Sequence, residues 1–303
     1  MISRDAVREA LTGPVASLSV TFEKDGSIDY RGLAVLIDRI IAGGSKSVIL
    51  TYGDSLYSVL SDQEVADVTR SVAGHVAGRA MVVAADRQWW TGQTVEFARY
   101  AKDVGADVLM VLPPTWGGSC TEDTLVEHYA QVAQEMPVMV VTGLFANAHE
   151  LGFSVLRRLR DEVDGVVAVK EDAGPVFARK MCLLLHDKWA VFAGGQKQNH
   201  LNMAPYGCDG YMSTFIKFLP RVAHDYWQAV KVRDWEGARD LIVDYDMPYF
   251  DFVSTLPGGF DAGVHGVYEL YGIAKRWRRK PYHSLSDEEM ERLGGFFKSR
   301  GWL

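Results

Sequence analysis

Cysteine is scarce in this chain. Cys120, Cys182 and Cys208 are three in number and far apart. That pattern excludes a disulfide framework and a C-x-x-C metal site, and it suits reduced thiols in a cytoplasmic setting. No stretch of about 18 apolar residues offers a membrane span, and the start Met1-Ile-Ser-Arg-Asp-Ala-Val-Arg-Glu9 lacks the layout of a signal peptide. The eight histidines are scattered and no His, Asp or Glu cluster has ligand spacing, so neither a metal nor another cofactor is expected. The formal net charge of −7 argues against a nucleic-acid partner. No low-complexity linker divides the 303 residues, and no G-x-G-x-x-G follows the first apolar run. What remains, with 48% hydrophobic and 23% charged residues, is the composition of a soluble globule with a large core.

That core is written as short apolar runs alternating with helical patterns. Strands are expected near Pro14–Val20, Lys46–Thr51, Ala80–Ala85, Asp107–Leu112, Pro137–Thr142, Gly165–Lys170, Ala190–Ala193 and Gly210–Ser213. Each is continuously apolar, as strands buried on both faces of a parallel sheet must be. Leu33, Leu36, Ile37, Ile40 and Ile41 make one helical stripe, and Gly43-Gly44 stops it. Ser61-Asp-Gln-Glu64 is a capping box, and Gly105 stands where a C′ glycine would end the next helix. Strand starts recur every ~20 to 33 residues, so eight βα units predict a (β/α)₈ barrel. The barrel is expected over residues 1–217. Residues 218–303 read as helix only, with Ser286-Asp-Glu-Glu289 capping the last one, and predict a helical extension packed on the barrel.

The sixth run, Asp164-Gly-Val-Val-Ala-Val-Lys170, carries a lone ammonium to the C-terminal end of a buried strand. Burial disfavours the charged form of a lysine, and a neutral amine is what a carbonyl needs to form a Schiff base. The alternative is a strand-end lysine that snorkels to solvent or pairs with Glu171.

In this frame the chain resembles the dihydrodipicolinate synthase / N-acetylneuraminate lyase family of Schiff-base aldolases. The segments that carry the resemblance are Phe22-Glu-Lys-Asp-Gly-Ser-Ile-Asp29, Leu60-Ser61-Asp-Gln-Glu64, and Ala101-Lys-Asp-Val-Gly105 with Pro113-Pro114 and His128-Tyr129. Further along come Val169-Lys170-Glu171, Gly207-Cys-Asp-Gly210-Tyr-Met-Ser213 and Arg279-Lys-Pro281. The resemblance implies that Lys170 is the Schiff-base lysine, that a pyruvate-like 2-oxo acid is the partner, and that the chain forms a homo-oligomer, a dimer or a tetramer. It implies no membrane partner.

The departures from the family matter as much. Its Gly-Thr-Thr-Gly-Glu loop falls on Tyr52-Gly53-Asp54-Ser55-Leu56, its Tyr-Asn pair on Val141-Thr142, and its aromatic pair on Thr115-Trp116. With the threonines and the proton-shuttling tyrosine replaced, dihydrodipicolinate synthesis itself is not expected. The expected activity is that of an aldolase or dehydratase on another 2-oxo acid or keto-sugar acid. The competing expectation is a non-catalytic paralogue that only binds such an acid.

Replacements for the lost groups have to be sought among the residues at strand ends. Tyr52 is the first candidate proton shuttle, with Tyr57 and Asp54 behind it; either tyrosine is equally suited to packing. Gly53 and Met212 join the substrate-binding set. Asp54 acts as base, binds substrate hydroxyls or caps the loop. Asp86-Arg87 follow the third strand, where Arg87 either forks onto a substrate carboxylate or forms an Asp86–Arg87 surface pair at the barrel rim. Thr142 bonds either the imine or only backbone. Trp89, Trp90 and Trp116 form an apolar wall or an interface, His149 reads as a surface or capping residue, and Gly194-Gly195 reads as a turn.

Overall fold

Eight runs of β-branched and small apolar residues pair in parallel and close into a barrel in sequence order. They are β1 (Gly13–Ser17), β2 (Ser47–Ile49), β3 (Met81–Ala85), β4 (Val108–Val111), β5 (Val138–Val141), β6 (Val166–Glu171), β7 (Ala190–Ala193) and β8 (Gly210–Met212). A computed structural model of the chain describes residues 2–112 and 117–303. Closure occurs where Gly13 registers with Gly210 and Val15 with Met212. A Cβ on Gly210 would lie 2.0 Å from the Leu11 carbonyl oxygen, so the seam needs glycine there. Every strand residue is buried, which is why the runs are continuous and not alternating.

The outer layer forms because each connecting helix has one apolar stripe to bury. In Tyr30–Ala42 the stripe Leu33, Leu36, Ile37 and Ile40 is buried, Ile41 is half-buried, and Asp29 caps the start by accepting the Gly32 N–H at 2.8 Å. Ser61 and Glu64 form a reciprocal capping box on Asp62–Val76. Gly105, at φ +98°, follows the helix Thr91–Asp103. The helix Pro220–Lys231 lies against the barrel: Trp227 stands 3.4 Å from where a Gly13 Cβ would be, and the Tyr211 hydroxyl donates to the Ala223 carbonyl at 3.0 Å.

Three features depart from the sequence expectation. The first strand ends its ladder at Ser17, short of Val20. An unanticipated helix, Arg4–Leu11, precedes it, anchored by buried Val7 and Leu11 and by Arg8, which donates to the Trp189 carbonyl at 2.7 Å. The C-terminal region is also not helix only. Between the helices Gly259–Leu270 and Asp287–Ser299 the chain runs irregularly, and Arg279 pins that stretch to Glu64 at 2.8 Å and to the Gly26 and Val59 carbonyls. Those side-chain contacts replace the backbone hydrogen bonds a helix would have supplied. The C-terminal helices bury a second apolar cluster that includes Phe215, Phe218, Tyr249, Leu293, Phe297 and Trp302.

Candidate active site

Side chains at strand C-termini converge on one face of a (β/α)₈ barrel, and here they surround a cavity of about 210 Å³. The loop after β2 supplies Thr51, Tyr52, Gly53 and Asp54. Met110, Leu112, Val141 and Met212 give it an apolar lining, and Gly194 opens it after β7. Lys170, near the end of β6, and Asp172, just after it, bring opposite charges to the same lining. The Lys170 side chain is only 10% exposed, and its ammonium pairs directly with the Asp172 carboxylate.

The turn after Lys170 is built to present that carboxylate. Glu171 points the other way, is buried, and accepts the Ala173 and Gly174 N–H groups at 2.7 and 2.6 Å. Burial raises the Glu171 carboxyl above its ordinary range, and the two N–H donors act against that rise. Thr142 is fully buried: its N–H donates to the Lys170 carbonyl at 3.1 Å, and its hydroxyl accepts the Asp172 N–H at 2.9 Å. Gly194 clears the space. A Cβ there would sit 1.8 Å from Asp172 Oδ1 and 2.7 Å from Lys170 Nζ.

Of the residues singled out from sequence, Lys170, Tyr52, Gly53, Asp54 and Met212 share this cavity wall. Thr142 lies beneath it, in contact with backbone. Arg87 is not part of the lining; it pairs with Asp62 at 2.8 Å on the rim, where Trp89 and Gln93 also donate to that carboxylate. Trp89 packs edge-on against Phe97, and Trp90 is 71% exposed. Trp116 and Thr115 lie outside the described residues. Tyr57 is fully buried away from the cavity, and burial pushes its phenol well above the ordinary range. His149, half-buried at the start of its helix, lies tilted against Phe177, with ring centroids 5.3 Å apart. Among the described residues no three His, Cys, Asp or Glu side chains are grouped so as to hold a metal ion, and no helix is long and apolar enough to cross a membrane.

Of two acidic groups that organise this face, sequence reading gave Asp172 no role and placed Asp86 wrongly. Asp172 carried a usable signal, the two-residue spacing from Lys170. Asp86, expected as a surface partner of Arg87, follows β3 fully buried, accepts the Leu112 N–H at 2.9 Å, and is pushed up to about 7 by burial. It ties the end of β3 to the residue following β4, a pairing that depends on residues 26 positions apart.

A model of the dihydrodipicolinate synthetase family matches residues 10–299. The chain belongs to that family. It is 28% identical over 292 residues to 4-hydroxy-tetrahydrodipicolinate synthase of Psychrobacter sp. (strain PRwf-1), covering 94% of this chain and 95% of that one. It is 27% identical over 286 residues to Probable 5-dehydro-4-deoxyglucarate dehydratase 2 of Streptomyces avermitilis, covering 91% of this chain and 82% of the relative. Among solved structures, YagE, a prophage protein of the dihydrodipicolinic acid synthase family from E. coli K12 in complex with pyruvate, superimposes with a TM-score of 0.80 at 22% identity. That superposition covers 96% of this chain and 99% of YagE. The family's proteins include synthases and a dehydratase, so an enzyme of lyase type is consistent with its membership.

Proposed function

We propose that this protein is a lyase, an aldolase or a dehydratase, acting on a 2-oxo acid or keto-sugar acid through a Schiff base at Lys170. The observation that carries the reading is the Lys170 amine, 10% exposed, which among the described residues is the one lysine lining the cavity. An amine so placed meets the C2 carbonyl of a bound 2-oxo acid, and the resulting iminium draws the electrons of a breaking C3 bond into an enamine. In an aldolase that bond is C3–C4; in a dehydratase it is C3–H, and the enamine so formed then expels the C4 hydroxyl, which leaves as water once protonated. Tyr52 is half-buried on the wall and is the proposed proton donor for the carbon end of the substrate. Gly53 and Met212 shape the pocket around it, and Asp54 is placed to bind substrate hydroxyls.

Synthesis of 4-hydroxy-tetrahydrodipicolinate is set aside in this reading. The loop Tyr52-Gly53-Asp54 lacks the threonines, and Val141-Thr142 lacks the proton-shuttling tyrosine, that the resemblance places in the synthase site. The test is incubation with pyruvate and borohydride followed by intact-mass measurement. A Schiff-base enzyme gains the mass of pyruvic acid less one oxygen atom. A ligand-dependent rise in melting temperature with no adduct would instead favour a non-catalytic binder.

A further inference from the structure

The family's proton-shuttling tyrosine has no counterpart at Val141-Thr142, yet imine chemistry needs an acid–base group at the nitrogen. We propose that Asp172 is that group, a catalytic carboxylate that carries protons between the Lys170 amine and the departing oxygen of the substrate carbonyl. The proposal rests on the Schiff-base reading of Lys170 and adds the residue that makes it run.

Three observations separate Asp172 from an incidental ion pair. First, it is the one acidic side chain hydrogen-bonded to Lys170 Nζ among the described residues, and it lines the same cavity. Tyr52 and Asp54 share the wall but neither is hydrogen-bonded to the amine, and Tyr57 is sealed in the core. Second, the turn does not need the carboxylate. Glu171 Oε1 takes the Ala173 and Gly174 N–H groups, and the Thr142 hydroxyl takes the Asp172 N–H. The Asp172 oxygens are left to the lysine and the cavity. Third, the space for Oδ1 exists only because residue 194 is glycine, since any Cβ would stand 1.8 Å away. The side chain is 32% exposed, open enough to meet a substrate that enters from solvent.

The step balances without a co-reactant. A proton moves from the Lys170 ammonium to the Asp172 carboxylate, and the neutral amine forms a C–N bond to C2 while the carbonyl π pair goes to oxygen. Asp172 returns the proton to that oxygen, giving a carbinolamine with a protonated nitrogen. Asp172 then takes a proton from the nitrogen, whose lone pair expels the hydroxyl. The hydroxyl leaves as water with the proton from Asp172. The net change is ammonium plus ketone to iminium plus water, with Asp172 ionised again beside the new positive charge. A carboxylate within hydrogen-bond reach of the iminium also stabilises it electrostatically.

The test is the rate at which borohydride-trappable adduct with pyruvate accumulates, by timed quench and mass spectrometry. Asp172→Asn is expected to slow adduct formation by roughly 10²- to 10⁴-fold, the usual worth of a positioned acid–base group, while the melting transition stays cooperative. Asp172→Ala is expected to be rescued by formate in proportion to its concentration, because a free carboxylate can enter the vacated space; a merely structural residue gives no such rescue. Gly194→Ala, which displaces the carboxylate without removing it, is expected to slow the step as well. Wild-type rates in Asp172→Asn, or no response of Asp172→Ala to formate, would overturn the role of Asp172 and leave Lys170 untouched. Absence of any adduct in the wild-type protein would instead remove the Schiff-base reading and this one with it.

Discussion

Among the described residues two buried lysines are each paired with an aspartate, and the pairs face different surroundings. Lys197 Nζ lies 2.5 Å from Asp246 Oδ1, with both side chains 0% exposed and the ammonium 4.1 Å from the centre of the Phe215 ring. Burial pushes the Lys197 ammonium down and the Asp246 carboxyl up, and each charge holds its partner against that drift. Asp246 reaches this position through the π turn Ile242–Asp246, so the pair fastens the C-terminal helices to the barrel. Lys170 and Asp172 sit instead on a cavity floor, two residues apart on one strand end, with the carboxylate a third exposed. The difference teaches that burial and pairing alone do not mark a reactive lysine. Access does: a carbonyl carbon can reach Lys170 and cannot reach Lys197. A third buried lysine, Lys217, is committed to the Tyr268 hydroxyl at 3.1 Å and to Ser17 at 3.4 Å.

Substitutions at the two pairs break this comparison most directly. Lys170→Ala and Lys170→Arg are expected to abolish adduct formation while circular dichroism and the melting transition persist, since a guanidinium stays charged and cannot attack a carbonyl. Lys197→Met is expected to do the reverse. It strands Asp246 in the core and costs about 3–5 kcal/mol of unfolding free energy in urea, while the folded fraction still traps pyruvate. The double change Lys197→Met with Asp246→Leu is expected to recover most of that loss. If Lys197→Met abolished trapping in fully folded protein, the division between a structural and a chemical lysine would fail.

A smaller effect concerns acid stability beside the structural pair. His200 is fully buried, its Nδ1 is 2.9 Å from the Tyr226 hydroxyl, and burial lowers it to about 4. The unfolded chain takes up that proton near the ordinary value of about 6.5. The folded-state pKa is therefore depressed: the stability is fully present above about 6.5 and is lost as pH falls towards 4. By pH ~5 the cost from this residue is on the order of 2 kcal/mol. Thermal unfolding between pH 7 and 5 is expected to show a steeper fall in wild type than in His200→Gln; parallel curves would remove His200 from the account.

The smallest effect is expected at the rim. Arg87 is tied to Asp62 and is 27% exposed. Arg87→Ala is expected to change KM for an anionic substrate by less than about tenfold, below ~1.4 kcal/mol, and stability by no more than about 1 kcal/mol. A larger rise in KM would mean that Arg87 leaves Asp62 to hold substrate.

The barrel was legible because parallel strands buried on both faces leave an uninterrupted apolar run, and all eight such runs became strands. Helix caps were legible for the same local reason: Ser61 with Glu64 and Ser286 with Glu289 bond within four residues. The first helix was missed because only Val7 and Leu11 mark its buried side. The irregular stretch before Asp287 was missed because its anchors, Glu64 and Gly26, lie more than 200 residues away in sequence. Lys170 was visible as a charge out of place on a strand. The partners of Arg87 and Lys197 were not, since Asp62 and Asp246 lie 25 and 49 residues distant and meet them only in the fold. Asp172 was in plain view in the Lys-Glu-Asp run, but its side chain matters because Gly194 and Thr142 make room for it and hold it.

The central claim is that one lysine of the three buried ones forms an imine. The direct measurement is peptide mapping of the whole protein after reduction with borohydride in the presence of pyruvate. The account predicts a single labelled peptide, with the added mass on Lys170 and none on Lys197 or Lys217. Label on either of those residues, or on surface lysines in proportion to their exposure, would contradict it.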